Sequence, residues 1–190
     1  MLSIRLDLSA IVSIVPPNSS VLDLGCGDGA LLARLVDEKH VNARGVELIE
    51  ANVRACISKG LSVRQGNIEE GLADYRDRAF DYVVLSQTLA YLDHPKPVVE
   101  EMLRVGQYAI ISFDNSAYWR WRLGNMRGQI MSEPLHEGGP RARTITLKQF
   151  EAFADSLGAK VTQTAFVSRS FRPKTFASVL AREAVYVIER

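Results

Sequence analysis

The chain has 190 residues, of which 47% are hydrophobic and 24% charged, and a net charge of +1 at pH 7. That is enough for one sizeable core and too little for two comfortable domains. So small a net charge supplies no global field toward nucleic acid or a membrane surface, and neither partner is expected.

The charge is unevenly spread. Residues 1–114 carry 11 Lys/Arg against 16 Asp/Glu, and residues 115–190 carry 12 against 6. A basic last third suits an acidic partner or an anionic substrate, or is plain solvated surface. The 2 cysteines, Cys26 and Cys56, are too few for a disulfide framework and fit reduced thiols. The opening "MLSIRLDLSAIVSIVPP" has neither the basic start nor the apolar length of a signal peptide or membrane span. A cytoplasmic protein with residues 1–190 as a single domain is expected.

In chain order, "LDLSAIVSIV" has helical apolar spacing and is stopped by Pro16-Pro17. "SVLDLG" (20–25) reads as a buried strand, "GALLARLVDEK" (29–39) as a helix and "ARGVELI" (43–49) as a second strand. A helix over "EANVRACISKG" should stop at Gly60, with a third strand at 61–67. "FDYVVLSQ" (80–87) is an almost continuous apolar run, the mark of a strand covered on both faces. "KPVVEEMLRVG" is helical, and "YAIISFDN" (108–115) is a fifth strand. "SAYWRWRLGNMRGQI" places Trp119, Leu123, Met126 and Ile130 on one helical face. "MSEPLHEGGPRAR" is a glycine-rich loop, so residues 120–143 form a helix and loop available as a lid or a partner surface. A helix follows with a capping box from Thr146 to Gln149, and two strands close the chain.

Alternating strands and helices predict a doubly wound α/β fold, a Rossmann-like arrangement with a mostly parallel sheet. Ligands in such folds bind outside the carboxyl ends of the strands. The loops holding Gly25–Gly29, Glu47, Asn67 and Ser86–Gln87 all fall there.

The strand-to-helix turn "VLDLGCGDG" is shared by dinucleotide and S-adenosylmethionine sites. The acids decide between them. Asp23 and Asp28 would repel a pyrophosphate, whereas S-adenosylmethionine brings an ammonium and a sulfonium. The third glycine also falls one place early for G-x-G-x-x-G. Glu47, about twenty residues on, is placed to accept hydrogen bonds from ribose hydroxyls. Asn67, after the third strand, is placed to accept one from an adenine amino group.

With these residues in place, the chain resembles the class I methyltransferases and, more narrowly, the methionine biosynthesis protein MetW family. The resemblance rests on "VLDLGCGDG", "GVE", "QGNIEEGL", "FDYVVLSQTL", "EMLRVG" and "ISFDNSAYWRWRL", and thins after residue 130. It implies a seven-stranded sheet whose last strand is antiparallel. It implies cofactor-binding positions at Asp23, Gly25, Gly27 and Glu47. With their neighbours, the candidates are Asp23, Gly25, Cys26, Gly27, Glu47, Leu48, Asn67, Ile68 and Ser86. The implied cofactor is S-adenosylmethionine, with S-adenosylhomocysteine as product. The implied setting is methionine synthesis, acting with or regulating a homoserine O-acyltransferase; the alternative is an active methyltransferase on a small-molecule acceptor. The chain departs from the family at Asn67, where Asp is more usual, and at "PRART", where an Asn-Ile-His run is common.

Methyl transfer asks the protein mainly to align donor and acceptor and to exclude water. Tyr91, His94, Asp114, Asn115 and Tyr118 are candidates to serve as a base, none with a diagnostic spacing, so no catalytic residue is assigned. Three histidines and two distant cysteines indicate no metal site. Trp119 and Trp121, with Arg120, Arg122 and Arg127, fit an acceptor site, a partner surface, or a core-facing Trp119 among solvated arginines.

Overall fold

The computed structural model describes Arg5 and residues 7–127, 142–168 and 175–190. Seven strands form one sheet: β1 (Ser20–Leu24), β2 (Asn42–Glu47), β3 (Val63–Gln65), β4 (Phe80–Ser86), β5 (Gly106–Asp114), β6 (Lys160–Val167) and β7 (Glu183–Glu189). Their order is β3-β2-β1-β4-β5-β7-β6. The first five run parallel, and β7 is antiparallel to both of its neighbours. This is the expected doubly wound sheet with its reversed last strand.

The helices are α1 (Asp7–Ile14), α2 (Ala30–Lys39), α3 (Glu50–Ser58), α4 (Pro95–Val105), α5 (Trp119–Met126), α6 (Leu147–Ser156) and α7 (Ala177–Leu180). α6 begins with the expected capping box: Thr146 Oγ1 accepts from the Gln149 amide, and Gln149 Oε1 accepts from the Thr146 amide. The third strand is shorter than expected, because Gly60 (φ +76°) and Leu61 still belong to the turn closing α3. The single turns at Ile68–Glu70 and Leu89–Tyr91, and α7, have too few residues to leave a periodic signal.

Two apolar layers sandwich the sheet. On one face Val21, Val84, Ile110, Val185 and Val187 pack under Leu8, Ile11, Val12, Leu31 and Leu35 of α1 and α2. On the other, Leu22, Leu24, Val83, Leu85, Ile111 and Phe113 meet α4 and α6. Strand alternation then places the site. Continuing the α1 face toward the carboxyl ends, the register brings up Glu47, Asp23, Ser86, Ser112, Asp114 and Glu183. The same face is apolar in its middle and polar along one edge.

A core-facing Trp119 is corrected. α5 buries none of its residues; Trp119 is 44% exposed and Met126 85%. Ile130 and residues 131–141 of the expected lid lie outside the described residues. No helix among the described residues is long and apolar enough to cross a membrane.

Candidate functional site

Between β1 and α2 the chain turns through Gly25–Gly29. Gly29 lies at φ +79°, and a Cβ there would sit 2.5 Å from Leu61 Cδ1 and 2.9 Å from Cys56 Sγ. Conformation and space both exclude a side chain. Gly27 (φ +56°) faces open space, with nothing within 4 Å of such a Cβ. This is the bare backbone a ligand can approach.

The loop amides turn inward. Those of Gly25 and Cys26 donate to the Val46 carbonyl at 2.8 and 3.2 Å, and that of Gly29 donates to the Cys26 carbonyl at 3.0 Å. The Gly27 amide donates to Glu47 Oε2 at 2.9 Å. At the start of α2, the Ala30 amide donates to Asp28 Oδ1 at 3.2 Å. An anion nest needs such donors aimed outward. A pyrophosphate approaching Gly27 would meet the Glu47 carboxylate rather than a free amide.

Glu47 is buried at the end of β2 and clasps the loop. Besides the Gly27 amide, it accepts the Ile49 amide at 2.9 Å and Asn52 Nδ2 at 3.4 Å, both on Oε1. A carboxylate has about four acceptor positions. Three are engaged within the chain, leaving room for about one more donor.

Asp23 is 1% exposed, and its Oδ1 is buried without a hydrogen-bond partner. Burial lifts its carboxyl to about 7, with Arg5 opposing and Asp7 and Glu47 adding to the rise. A buried acceptor without a donor is costly. A cation or an N–H from a ligand would answer it.

Beside Asp23 lies a polar network that the sequence did not reveal. Asp7, fully buried at the start of α1, accepts from Arg5 Nε on Oδ1 at 3.0 Å and from Arg5 Nη2 on Oδ2 at 3.0 Å. Ser86 Oγ and Ser112 Oγ also donate to Asp7 Oδ2, at 2.6 and 2.7 Å. The Asp7 amide donates to Glu183 Oε2 at 2.9 Å. Burial works against the Asp7 charge, but Arg5 and the two serines outweigh it and hold the carboxyl below its ordinary range. Glu183, buried beside Asp7 and Asp114, is pushed up to about 7. Arg5, Asp7, Ser112 and Glu183 have no spacing that marks them; only the register, Asp114 opposite Glu183 and Ser86 opposite Ser112, unites them.

The remaining candidates divide. Leu48, 61% exposed, follows Glu47 and offers an apolar surface at the loop mouth. Ile68 is buried in the core. Asn67 Oδ1 accepts the Glu69 amide at 3.0 Å, so the oxygen expected to face adenine already caps a turn. Cys26 directs its thiol into a cluster with Leu32 and Cys56, and Ser86 belongs to the Asp7 network. Asn115 is fully buried and clamps the Ser178 and Ala181 carbonyls, a structural role. Asp114 is raised by burial, while Tyr91 is 48% exposed.

The fold matches a SAM dependent methyltransferase from Archaeoglobus fulgidus with a TM-score of 0.69 at 15% identity, covering 98% of this chain and 93% of that one. This is the Rossmann-like fold of the S-adenosylmethionine-dependent methyltransferases. In sequence, the chain is 39% identical over 129 residues to the bifunctional methionine biosynthesis protein MetXA/MetW of Rhodopirellula baltica, covering 64% of this chain and 21% of that protein. It is 32% identical over 112 residues to a ubiquinone biosynthesis O-methyltransferase of Idiomarina loihiensis, covering 55% and 46%. The chain thus matches less than half the length of these two relatives. The family model of methionine biosynthesis protein MetW matches residues 5–188. That match takes in both the glycine-loop corner and the Asp7 network, and the chain belongs to the MetW family.

Proposed function

We propose that this chain is an S-adenosylmethionine-binding protein of methionine biosynthesis that acts with, or regulates, a homoserine O-acyltransferase. The observation that carries the ligand is Asp23 Oδ1, a buried carboxylate oxygen without a donor beneath a loop whose amides are turned away from anions. The residues present fit the ligand. S-adenosylmethionine supplies an activated methyl on a sulfonium, with an ammonium at its amino-acid end. Asp23 receives the ammonium. Glu47 holds Gly27 in place and keeps about one acceptor position for a ribose hydroxyl. Leu48 covers one side of the base. The two-part name of the Rhodopirellula relative supports a two-component arrangement. Binding of a downstream metabolite couples supply to demand if it changes affinity for the acyltransferase.

A second reading, an active methyltransferase on a small-molecule acceptor, is favoured by one observation. Asp114 and Glu183 lie opposite each other at the end of β5, and burial raises both carboxyls, Glu183 to about 7. A group held there accepts a proton at neutral pH.

Calorimetric titration with S-adenosylmethionine and S-adenosylhomocysteine tests the ligand. Glu47→Ala should weaken binding by about 1–3 kcal/mol, roughly 5- to 150-fold. Unchanged affinity removes Glu47 from the site. Co-purification with the acyltransferase, with and without ligand, tests the partner; labelled methyl appearing in a metabolite extract would favour the second reading.

A further inference from the structure

The α4–α6 side of the sheet carries a cleft of about 220 Å³, bounded by the turn at Leu89–Tyr91, the start of α4 and the start of α6. Leu89 and Phe150 belong to that apolar layer, whereas Glu47, Asp23 and Ser86 project from the opposite face of the sheet. The cleft is thus separate from the glycine-loop corner. Its walls are apolar: Leu89, Pro95, Ile145, Phe150 and Phe153. The Phe150 and Phe153 rings, with centroids 6.4 Å apart and planes at 53°, make two sides of an aromatic corner.

The rim is rich in unused donors. Arg143 is the only charged residue among the described residues that line the cleft. Its amide donates to the Ala90 carbonyl at 2.7 Å. Its guanidinium donates from Nη1 to the Leu92 carbonyl and from Nη2 to the Asp93 carbonyl, the latter at 2.9 Å. Three of its five N–H groups therefore meet no acceptor among the described residues. Gln149 also lines the rim, and its Oε1 is taken by the Thr146 amide and hydroxyl at 3.0 and 2.9 Å. What Gln149 still offers is the pair of N–H groups on Nε2. The N-terminal end of α6 lies at the same place, and its dipole favours negative charge.

We propose that this cleft binds a small aromatic carboxylate, its ring between the apolar walls and its carboxylate on Arg143 and Gln149. Size agrees, since an apolar cavity of roughly 150 Å³ holds a benzene ring. The rest of the 220 Å³ accommodates one carboxylate. An inorganic anion would gain nothing from the apolar walls. A neutral hydrocarbon would cover the rim donors without answering them. A cation would face the Arg143 guanidinium. The proposal does not rest on the S-adenosylmethionine reading, because no residue is shared between the two sites.

The test is titration of the whole chain with benzoate, benzamide, benzylamine and acetate, followed by ligand-observed NMR. Benzoate should bind about 10-fold or more tightly than benzamide or acetate, and benzylamine should not bind, a comparison that needs no variant. Arg143→Gln should abolish the preference for benzoate over benzamide. Because Arg143 also holds the carbonyls of residues 90, 92 and 93, Thr144→Phe provides an independent check. Thr144 is exposed and lines the cleft, so a phenyl ring there fills the space without touching the core. That variant should weaken benzoate about 10-fold or more at an unchanged melting temperature. Saturating S-adenosylhomocysteine should leave benzoate affinity as it was. Equal affinity for benzoate and benzamide overturns the proposal, as does benzoate binding untouched by Thr144→Phe or displaced by S-adenosylhomocysteine. Each of those results leaves the cofactor reading standing. Failure of S-adenosylhomocysteine to bind would sink the cofactor reading and leave the cleft to the benzoate comparison.

Discussion

The glycine-loop corner and the Asp7 corner lie side by side on one edge of the sheet, yet they are built in opposite ways. At the first, every important contact joins neighbouring elements: the β1–α2 loop, the end of β2 and the start of α3. At the second, Asp7 gathers Arg5, Ser86, Ser112 and Glu183, partners up to 176 residues apart. A local corner depends on backbone conformations that only certain residues adopt. An assembled corner depends on mutual satisfaction of buried polar groups, so losing one member orphans several others.

The difference is open to attack from both sides. Asp7→Ala should have the largest effect, about 2–4 kcal/mol of folding stability, because it strips the acceptor from one guanidinium and two buried hydroxyls. Urea unfolding measures it, and Ser86→Ala combined with Ser112→Ala should recover part of the loss. Gly29→Ala should cost about 2–3 kcal/mol, through a left-handed backbone and collision with Leu61 and Cys56. A loss under about 0.5 kcal/mol would mean that the local corner yields more easily than its geometry implies.

Protonation sharpens the comparison. Asp23 and Glu183 are both raised to about 7 by burial, so the folded state holds protons that the unfolded chain releases near pH 4. Their contribution to stability is full below about pH 4 and is lost as pH rises through about 7. Melting temperature should therefore fall across that window, and Asp23→Asn and Glu183→Gln should each flatten the fall. A slope unchanged in both variants would place the titration elsewhere. The smallest effect is expected at α5, where Met126→Ala should change stability by less than about 0.5 kcal/mol because the side chain is 85% exposed.

Legibility followed the same division. The strand-to-helix order, the turn at Gly25–Gly29, the acid closing β2 and the Thr146–Gln149 box depend on residues close in sequence. Their spacing announces them. Trp119, Leu123 and Met126 have the spacing of a buried face, yet α5 leaves them exposed. Periodicity reports which residues share a side, not whether another element covers it. Asn67 has the right chemistry and position, but its oxygen is taken by the turn that follows.

What the sequence determined by itself is the doubly wound order, the glycine turn and the placing of acids beside that turn. Each follows from local sterics or from the sign of nearby charges. Only the tertiary structure decided that Asp23 would be buried with one oxygen unanswered, that Glu47 would clasp Gly27, and that Arg5 would stand beside Ser86. Parallel strands set non-adjacent segments into register, and burial then made a handful of ordinary polar residues depend on one another.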